Sequence, residues 1–287
     1  MEIVVHQNIG EILAHPLAQR PEALRRVLAP LYRQVPVPGD PVDLHHLGGG
    51  FRVDADFSGY HIMLEKIIAH DVPGQIEYQL QRAWERFTDA VPGIQGPQRL
   101  QVMLMLGNPD DDYLMRVVGG YYGMSGATPG WLYLLAWPTD DVVDRIAHCA
   151  VHEFHHQVRY SNVEWDPVRV TVGEHIVVEG LAEAFVRELS GPEAMGPWSS
   201  RVTGAAFDDA YAKTMANIDL PGMGNTPAFV LGDTAAARFG GEPRGIADMA
   251  GYGVGLRIVD KHLAATGLTA AESSVLPSAK ITAHSVK

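Results

Sequence analysis

Two histidines four residues apart set narrow limits on how this 287-residue chain folds. The stretch His152-Glu153-Phe154-His155-His156 contains an H-E-x-x-H motif. An α-helix has 3.6 residues per turn, so residues four apart lie on one face and the imidazoles of His152 and His156 can point at one cation. A tetrahedral catalytic zinc site takes three protein ligands and a water. The motif therefore predicts two of the three protein ligands of a zinc site.

The residues around the motif predict the helix that this geometry requires. Thr139 offers an N-cap, and the acidic side chains of Asp140 and Asp141 suit the positive first turn of a helix. The apolar residues that repeat at helical spacing are Val143, Ile146, Ala147, Ala150, Phe154 and Val158. At 100° per residue they lie opposite His152 and His156. We therefore predict one helix from Thr139 to Val158 that packs with one face and binds a metal with the other.

A second helix is predicted from about Val172 to Leu189, and it ends at the stop signal Ser190-Gly191-Pro192. Glu179 and Glu183 lie four residues apart on one face of this helix. A carboxylate from a second helix is the expected third ligand of the zinc site, and Glu179 is placed to supply it. The interval from His156 to Glu179 is 179 − 156 = 23 residues, which requires a connecting loop.

The two helices together resemble the gluzincin class of zinc peptidases. The residues that carry the resemblance are H-E-F-H-H followed by V-E-G-L-A-E-A-F, within about Val142 to Leu189. They are more closely similar to the bacterial family of predicted zinc-dependent proteases known as the YjaZ-like group. The resemblance implies that Glu179 is the third zinc ligand and that Glu183 supports a ligand histidine. The 23-residue interval departs from the family pattern, since it is longer than the shortest gluzincin spacing.

The same resemblance indicates where a peptide substrate binds. The apolar and aromatic run from Trp131 to Trp137 is typical of a buried strand. In zinc peptidases of this type, the strand before the motif helix borders the cleft and pairs with the substrate backbone. The resemblance thus implies that the segment from about Gly123 to Leu135 forms the wall of the peptide groove. The alternative is an interior strand with no free edge.

A tyrosine near the C-terminus is the candidate for stabilising negative charge on the substrate. The segment Gly251-Tyr252-Gly253-Val254-Gly255 resembles the tyrosine-and-glycine helix found late in the family. Gluzincins commonly use a tyrosine or histidine downstream of the glutamate helix as a donor to the developing oxyanion. Tyr252 is the candidate because its glycine neighbours let a backbone or substrate approach closely. The alternative is a core tyrosine whose small neighbours serve helix packing.

Simpler explanations remain open for several of these residues. His152 and His156 could belong to a solvated histidine-rich helix face, and Glu183 could be an exposed helix carboxylate. We interpret His155 as a neighbour of the metal site without a ligand role. His148 and His175 are interpreted as surface groups or as neighbours of the ligands.

Two further sequence features have structural explanations. His45 and His46 precede the triplet Gly48-Gly49-Gly50, and because adjacent side chains diverge we predict a surface loop there. The lone Cys149 excludes an intramolecular disulfide, which is compatible with a reducing compartment. We predict that Cys149 is a small buried filler in the motif helix.

Composition bounds the fold class and the partners. With 46% hydrophobic and 20% charged residues the chain can bury a large core. We predict one α+β, gluzincin-like domain over 1–287. A mixed lobe with a small sheet at about 1–138 precedes a mainly helical lobe at 139–287, with the active site at their junction. The net charge of −12 disfavours nucleic acid and anionic membranes as partners. The N-terminus lacks a signal-peptide pattern and no apolar run reaches 18 residues, so we expect a cytoplasmic protein.

The expected function is zinc-dependent hydrolysis of peptide bonds, with a peptide or protein as substrate and one Zn²⁺ per chain. Zinc would lower the pKa of a water molecule, and Glu153 would act as general base by accepting the proton of that water. Two other classes of function stay open. One is a catalytically silent protein that binds metal or peptides, and the other is a zinc hydrolase of a non-peptide amide or ester. Two histidines and a carboxylate also suit iron or manganese.

Overall fold

The computed structural model describes residues 1–34, 38–125, 130–166 and 168–285. Its strands are Glu2–His6 (β1), Arg99–Leu106 (β2), Tyr121–Ser125 (β3) and Trp131–Ala136 (β4). Its α-helices are Ile9–Ala14 (α1), Arg20–Gln34 (α2), Pro41–Leu47 (α3), Gly59–Ala69 (α4), Val72–Ala90 (α5), Asp140–Val143 (α6), Ile146–Asn162 (α7), Val172–Ser190 (α8), Gly204–Ala216 (α9), Asp233–Arg238 (α10), Ala250–Thr266 (α11), Ala270–Ser273 (α12) and Ser278–Thr282 (α13). Short 3₁₀ turns occupy Leu17–Gln19, Pro192–Ala194, Pro197–Ser200 and Met223–Asn225, and π-helical turns occupy Tyr113–Val117 and Pro227–Leu231. Within these described ranges, no helix combines the length and apolar composition needed to cross a bilayer.

The four strands form one small mixed sheet in the order β1-β2-β4-β3. The strands β1, β2 and β4 run parallel, whereas β3 runs antiparallel to β4 at one edge. All six residues of β4 are buried, as expected for a continuous apolar run that is covered on both faces. Among the described residues that follow Ala136, no further strand joins a sheet. The predicted α+β class with a small sheet is therefore confirmed.

The chain divides into two compact units, each built from two segments. The first unit comprises Met1–Arg82 and Gly96–Gln157, and it contains the sheet. The second comprises Ala83–Gln95 and Val158–Lys287, and its described residues are mainly helical. The single domain with lobes at 1–138 and 139–287 stays a prediction.

In the first unit, the segment that contains His45 is a helix and not the surface loop predicted from the sequence. Asp40 caps α3, since its carboxylate accepts a backbone N–H of the first turn at 2.8 Å. The ring of His45 is buried, and its two nitrogens lie 2.9 Å from the Tyr133 hydroxyl and 3.1 Å from the Phe51 carbonyl oxygen. The loop prediction was wrong because these two partners satisfy the ring nitrogens and allow the imidazole to be buried, and one of them, Tyr133, is distant in sequence.

The helix predicted from Thr139 to Val158 is two helices, α6 and α7, separated by a turn at 144–145. Thr139 occupies the N-cap position of α6, but its side chain makes no capping hydrogen bond. In α7 every residue at 149–159 is buried. The motif helix is therefore enclosed on all its faces along this stretch, whereas the sequence pattern predicted one packed face.

In the second unit, α8 has the ends that its sequence predicts. The Thr171 hydroxyl accepts a backbone N–H of the first turn, and Gly191 follows the last turn with φ of 90°. Within this unit α8 crosses α11 very closely. A Cβ built on Gly180 would lie 2.2 Å from the carbonyl carbon of Gly255, and one built on Gly255 would lie 2.2 Å from the carbonyl oxygen of Ile176. Glycine is required at both positions because the two backbones are nearly in contact.

Candidate metal centre and its surroundings

The two histidines of the motif lie side by side on α7. Their ring centroids are 4.7 Å apart and the ring planes are nearly perpendicular, at 89°. His152 is only 3% exposed and His156 only 5%. Two imidazoles withdrawn from water in this way contradict the alternative of a solvated histidine-rich face.

Glu179 on α8 completes a group of three potential metal ligands. One ligand atom from each of His152, His156 and Glu179 lies within 4.8 Å of the others. A tetrahedral zinc site with bonds of about 2.0–2.2 Å spaces its ligand atoms about 3.4 Å apart. The distance between any two of these ligand atoms would therefore need to shorten by no more than about 1.4 Å around a zinc ion. Two imidazole nitrogens and one carboxylate oxygen form a donor set that zinc accepts, so these residues fit the ion.

The Glu153 carboxylate is held against the backbone of β3. A Cβ built on Gly123 would lie 2.3 Å from Cγ of Glu153 and 2.8 Å from its Cδ and Oε1 atoms. Any other residue at 123 would occupy the space that the glutamate fills. Gly123 was predicted only as one end of the groove segment. A glycine inside a strand does signal close approach by another group, so this contact had a sequence signal that we did not use.

The sheet shows which strand has an edge available for pairing. The strand β4 is paired on both sides, so for Trp131 to Leu135 the structure favours the alternative of an interior strand. Among the described strands, β1 and β3 each have a partner on one side only, and β3 is the one that lies against Glu153. It includes the start of the predicted groove wall at Gly123, and the part of that wall at 126–129 lies outside the described residues.

The hydrogen bonds of β4 show which way the backbone of Gly123 points. The Trp137 N–H donates to the Gly120 carbonyl at 2.8 Å, and the Gly107 N–H donates to the Ala136 carbonyl at 2.8 Å. Odd-numbered residues of β4 therefore bond to β3, and even-numbered ones bond to β2. Antiparallel pairs alternate between bonded and non-bonded residues, so in the register of β3 the N–H and C=O of Gly123 point away from β4. They face the outer edge, beside the Glu153 side chain.

Glu183 is a buried carboxylate and not an exposed one. It is only 1% exposed, and its two oxygens accept the Gly196 N–H at 2.9 Å and the Trp198 indole N–H at 2.7 Å. The Trp198 ring packs in turn against the Tyr252 ring, with 5.6 Å between the centroids. This network contradicts the exposed alternative for Glu183. Its support of a ligand histidine stays a prediction.

Tyr252 lies in the first turn of α11 and is half-buried. The glycines around it meet protein backbone. A Cβ on Gly251 would lie 2.5 Å from the Phe229 carbonyl oxygen, and Gly255 packs against α8 as described above. Close packing within the second unit therefore explains these glycines without a substrate. They give no support to Tyr252 as an oxyanion donor, and that role stays a prediction.

Two polar residues after the motif position α7, and sequence reasoning missed both. Gln157 accepts the Gly130 N–H at 2.8 Å, and its amide donates to the Ser125 hydroxyl at 2.8 Å, so it ties α7 to the end of β3. Arg159 is completely buried and donates two hydrogen bonds to one Glu174 oxygen, at 2.7 and 3.0 Å. That pair joins the last turn of α7 to the first turn of α8. Neither residue belongs to a recognisable motif, because its partners are known only once the chain is folded.

The remaining candidates are not members of the group of three. Cys149 is buried, which confirms its interpretation as a filler in α7. His155 is completely buried, and His175 is buried with its ring edge-on to Trp165 at 5.3 Å. Within the part of the chain that the structure describes, neither joins a group of three potential ligands.

Comparisons with known proteins match most of the chain to one family. The family model described as "Predicted Zn-dependent protease (DUF2268)" matches residues 79–283. The chain is 34% identical over 168 residues to "Uncharacterized protein YjfC" of Bacillus subtilis (strain 168), a match that covers 58% of this chain and 55% of that protein. It is 30% identical over 128 residues to "Uncharacterized protein YjaZ" of the same organism, which covers 44% and 45% of the two chains. The chain spans about half the length of these curated relatives. No solved structure matches.

Proposed function

Because the chain belongs to the family of predicted Zn-dependent proteases, we propose that it hydrolyses peptide bonds with a zinc ion held by His152, His156 and Glu179. The observation that carries the proposal is the placement of one ligand atom from each of these residues within 4.8 Å of the others. Three protein ligands leave a fourth coordination position for water, which is the pattern of a catalytic zinc site. The proposal includes a gluzincin-type arrangement, in which the motif helix and the glutamate helix α8 supply the ligands.

Glu153 is the proposed general base. When bound, zinc supplies a Lewis acid that polarises the scissile carbonyl and lowers the pKa of a water molecule. Glu153 follows His152 directly on α7, and its carboxylate is buried against Gly123. It takes the proton from the attacking water and delivers it to the leaving amine. Because Gly123 restricts the side chain, the carboxylate is oriented before substrate binds.

The edge of β3 supports a peptide as the substrate. The N–H and C=O of Gly123 point outward beside Glu153, and an extended peptide can pair with such an edge as an added strand. Main-chain hydrogen bonds of this kind require a backbone with alternating N–H and C=O groups. They favour a peptide over an isolated amide or ester.

The proposal is tested by digestion of a peptide library with the full chain. We expect fragments to appear with zinc-loaded protein, to disappear after chelation and to return when zinc is restored, with products identified by mass spectrometry. Zinc and peptide binding without any cleavage would instead favour the silent protein. Cleavage of small amides or esters but of no peptide would favour the non-peptide hydrolase.

The role of Tyr252 is tested by Tyr252→Phe, which removes only the hydroxyl. If this hydroxyl donates to the oxyanion, the variant folds, keeps its zinc and binds substrate nearly as well, but turnover falls by roughly 10–10³-fold. Steady-state kinetics that separate kcat from KM provide the measurement. The control is Tyr211→Phe on α9, because the Tyr211 hydroxyl accepts a hydrogen bond from Lys261 at 2.9 Å and has no proposed role. Unchanged kcat in Tyr252→Phe would remove Tyr252 from the site.

A further inference from the structure

A cavity of about 260 Å³ lies within the first unit beside the edge strand β3. The strands β3 and β4 form one wall, and α2 and α3 form the other. Its lining is largely aromatic and aliphatic. The residues that matter here are Tyr32, Leu44, Tyr122, Met124 and Trp131. Cavities that enclose a drug-sized ligand measure about 300–1,000 Å³, so this one suits a single large side chain.

The cavity and Glu153 lie on opposite faces of β3. Successive side chains of a strand point to opposite faces, so Tyr122 and Met124 share the face opposite to Gly123. Tyr122 and Met124 both line the cavity, whereas the missing side chain of Gly123 faces Glu153. Met124 is paired with Tyr133, which also lines the cavity. The side chains of a peptide paired with the outer edge of β3 would point alternately to the same two faces.

The described side chains that line the cavity include no acid, lysine or arginine. Among them, the Trp131 indole N–H lacks a hydrogen-bond partner within the described residues. The Tyr122 hydroxyl donates to the Gly48 carbonyl at 2.6 Å, and the His45 ring contacts the Tyr133 hydroxyl at 2.9 Å. Burial lowers the pKa of His45 to about 3 and raises the pKa of Tyr133 well above its usual value. Both groups are therefore neutral at pH 7. An uncharged wall favours an apolar occupant over a charged one, since the charged one would lose its hydration without compensation.

We propose that this cavity is a specificity pocket, which receives an aromatic or large aliphatic side chain from the substrate residue next to the one that pairs with Gly123. The inference rests on the proposed function, because it takes the substrate to be a peptide on the edge of β3. The residue opposite Gly123 directs its side chain to the Glu153 face. Its immediate neighbours direct theirs to the face of Tyr122 and Met124, where the cavity lies.

The test measures binding and does not depend on turnover. Fluorescein-labelled octapeptides that differ only in a central Phe, Ala or Asp are titrated against zinc-loaded Glu153→Gln protein, and affinity is read by fluorescence polarisation. We expect the Phe peptide to bind about 10–100-fold more tightly than the Ala peptide, the scale of burying one Phe side chain. The Asp peptide should bind no better than the Ala peptide.

Matched substitutions on α3 test whether the preference for Phe over Ala arises in the cavity. Leu44→Trp places a larger side chain in the cavity and should abolish the preference for Phe over Ala. Leu47→Trp makes the same change on the same helix at a residue that is 56% exposed and does not line the cavity, so the preference should persist. Met124→Glu puts a carboxylate beside the cavity at an edge position that is 52% exposed, where a charged side chain can reach water, and it should also remove the preference.

Separate results would overturn the pocket and the proposed activity. Equal affinity for the Phe and Ala peptides, no binding of either, or a preference that survives both Leu44→Trp and Met124→Glu would overturn the pocket. If the preference for Phe is lost in Leu44→Trp and Met124→Glu while the unmutated zinc-loaded protein cleaves no peptide, the pocket is supported and the proposed hydrolysis is refuted.

Discussion

Replacing Glu153 with glutamine is expected to lower peptide hydrolysis by at least about 10²–10⁴-fold, the contribution of a positioned general base. The amide has nearly the shape of the carboxylate, so it can still pack against Gly123, but it cannot accept a proton from water. Zinc content should be unchanged because Glu153 is not a proposed ligand. Initial rates with one cleaved peptide, together with elemental analysis of the same sample, provide the measurement.

Two further variants test whether the loss of hydrolysis depends on where the carboxylate lies. The control Glu65→Gln changes an exposed glutamate on α4 and should leave the rate as it was. Gly123→Ala keeps Glu153 but adds a methyl group 2.3 Å from its Cγ. Displacing the base should cost activity, since a misplacement of about 1 Å can cost about 10²-fold. If Glu153→Gln hydrolyses peptides as fast as the parent, Glu153 is not the base and the proposed mechanism is wrong.

Glu179→Ala is expected to lose most of its zinc, since only two of the three protein ligands remain. Elemental analysis after dialysis against a weak chelator should show about one zinc per chain in the parent and strongly reduced occupancy in the variant. Circular dichroism should show the same helical content in parent and variant, which separates the loss of a ligand from unfolding.

Glu183→Gln is the matched comparison four residues further along α8. Gly196 and Trp198 donate to different oxygens of Glu183, and the amide of glutamine keeps one acceptor oxygen, so one of the two hydrogen bonds can be retained. If Glu183 supports a ligand histidine, zinc affinity should fall by about 10–100-fold, the usual effect of changing a group that orients a ligand. Full zinc occupancy in Glu179→Ala combined with loss in Glu183→Gln would move the third ligand to Glu183.

Helices and their ends could be predicted where the signals are local. The helix predicted at Val172 to Leu189 is observed at Val172–Ser190, and the stop signal Ser190-Gly191-Pro192 that marked its end acts within a few residues. The strand β4 was likewise predicted, from the apolar run Trp131 to Trp137. The turn at 144–145 was missed, since the apolar repeat continues through it without interruption.

The environment of a residue could not be predicted in the same way where it depends on partners that are distant in sequence. The burial of His45 depends on Tyr133, which is 88 residues away in the chain. The burial of Glu183 depends on Trp198. The glycines around Tyr252 proved to reflect close packing of α11, with Gly255 against α8 and Gly251 against the backbone of Phe229 and Val230. In each case the neighbouring sequence is the same whether the polar or small residue is exposed, packed in the core or part of a functional site, so local signals do not distinguish them.

What the sequence determined by itself is the pair of histidines on one helical face, because the pitch of the α-helix makes residues four apart neighbours wherever the helix lies. Only the tertiary structure decided what surrounds that pair. It brings a Glu179 oxygen within 4.8 Å of the imidazoles, sets Gly123 against Glu153 and places a cavity on the far face of β3. These contacts join residues 23 and 30 positions apart (179 − 156 and 153 − 123). No periodicity extends across such intervals, so the path of the chain between the elements, set by packing of the whole core, determines them.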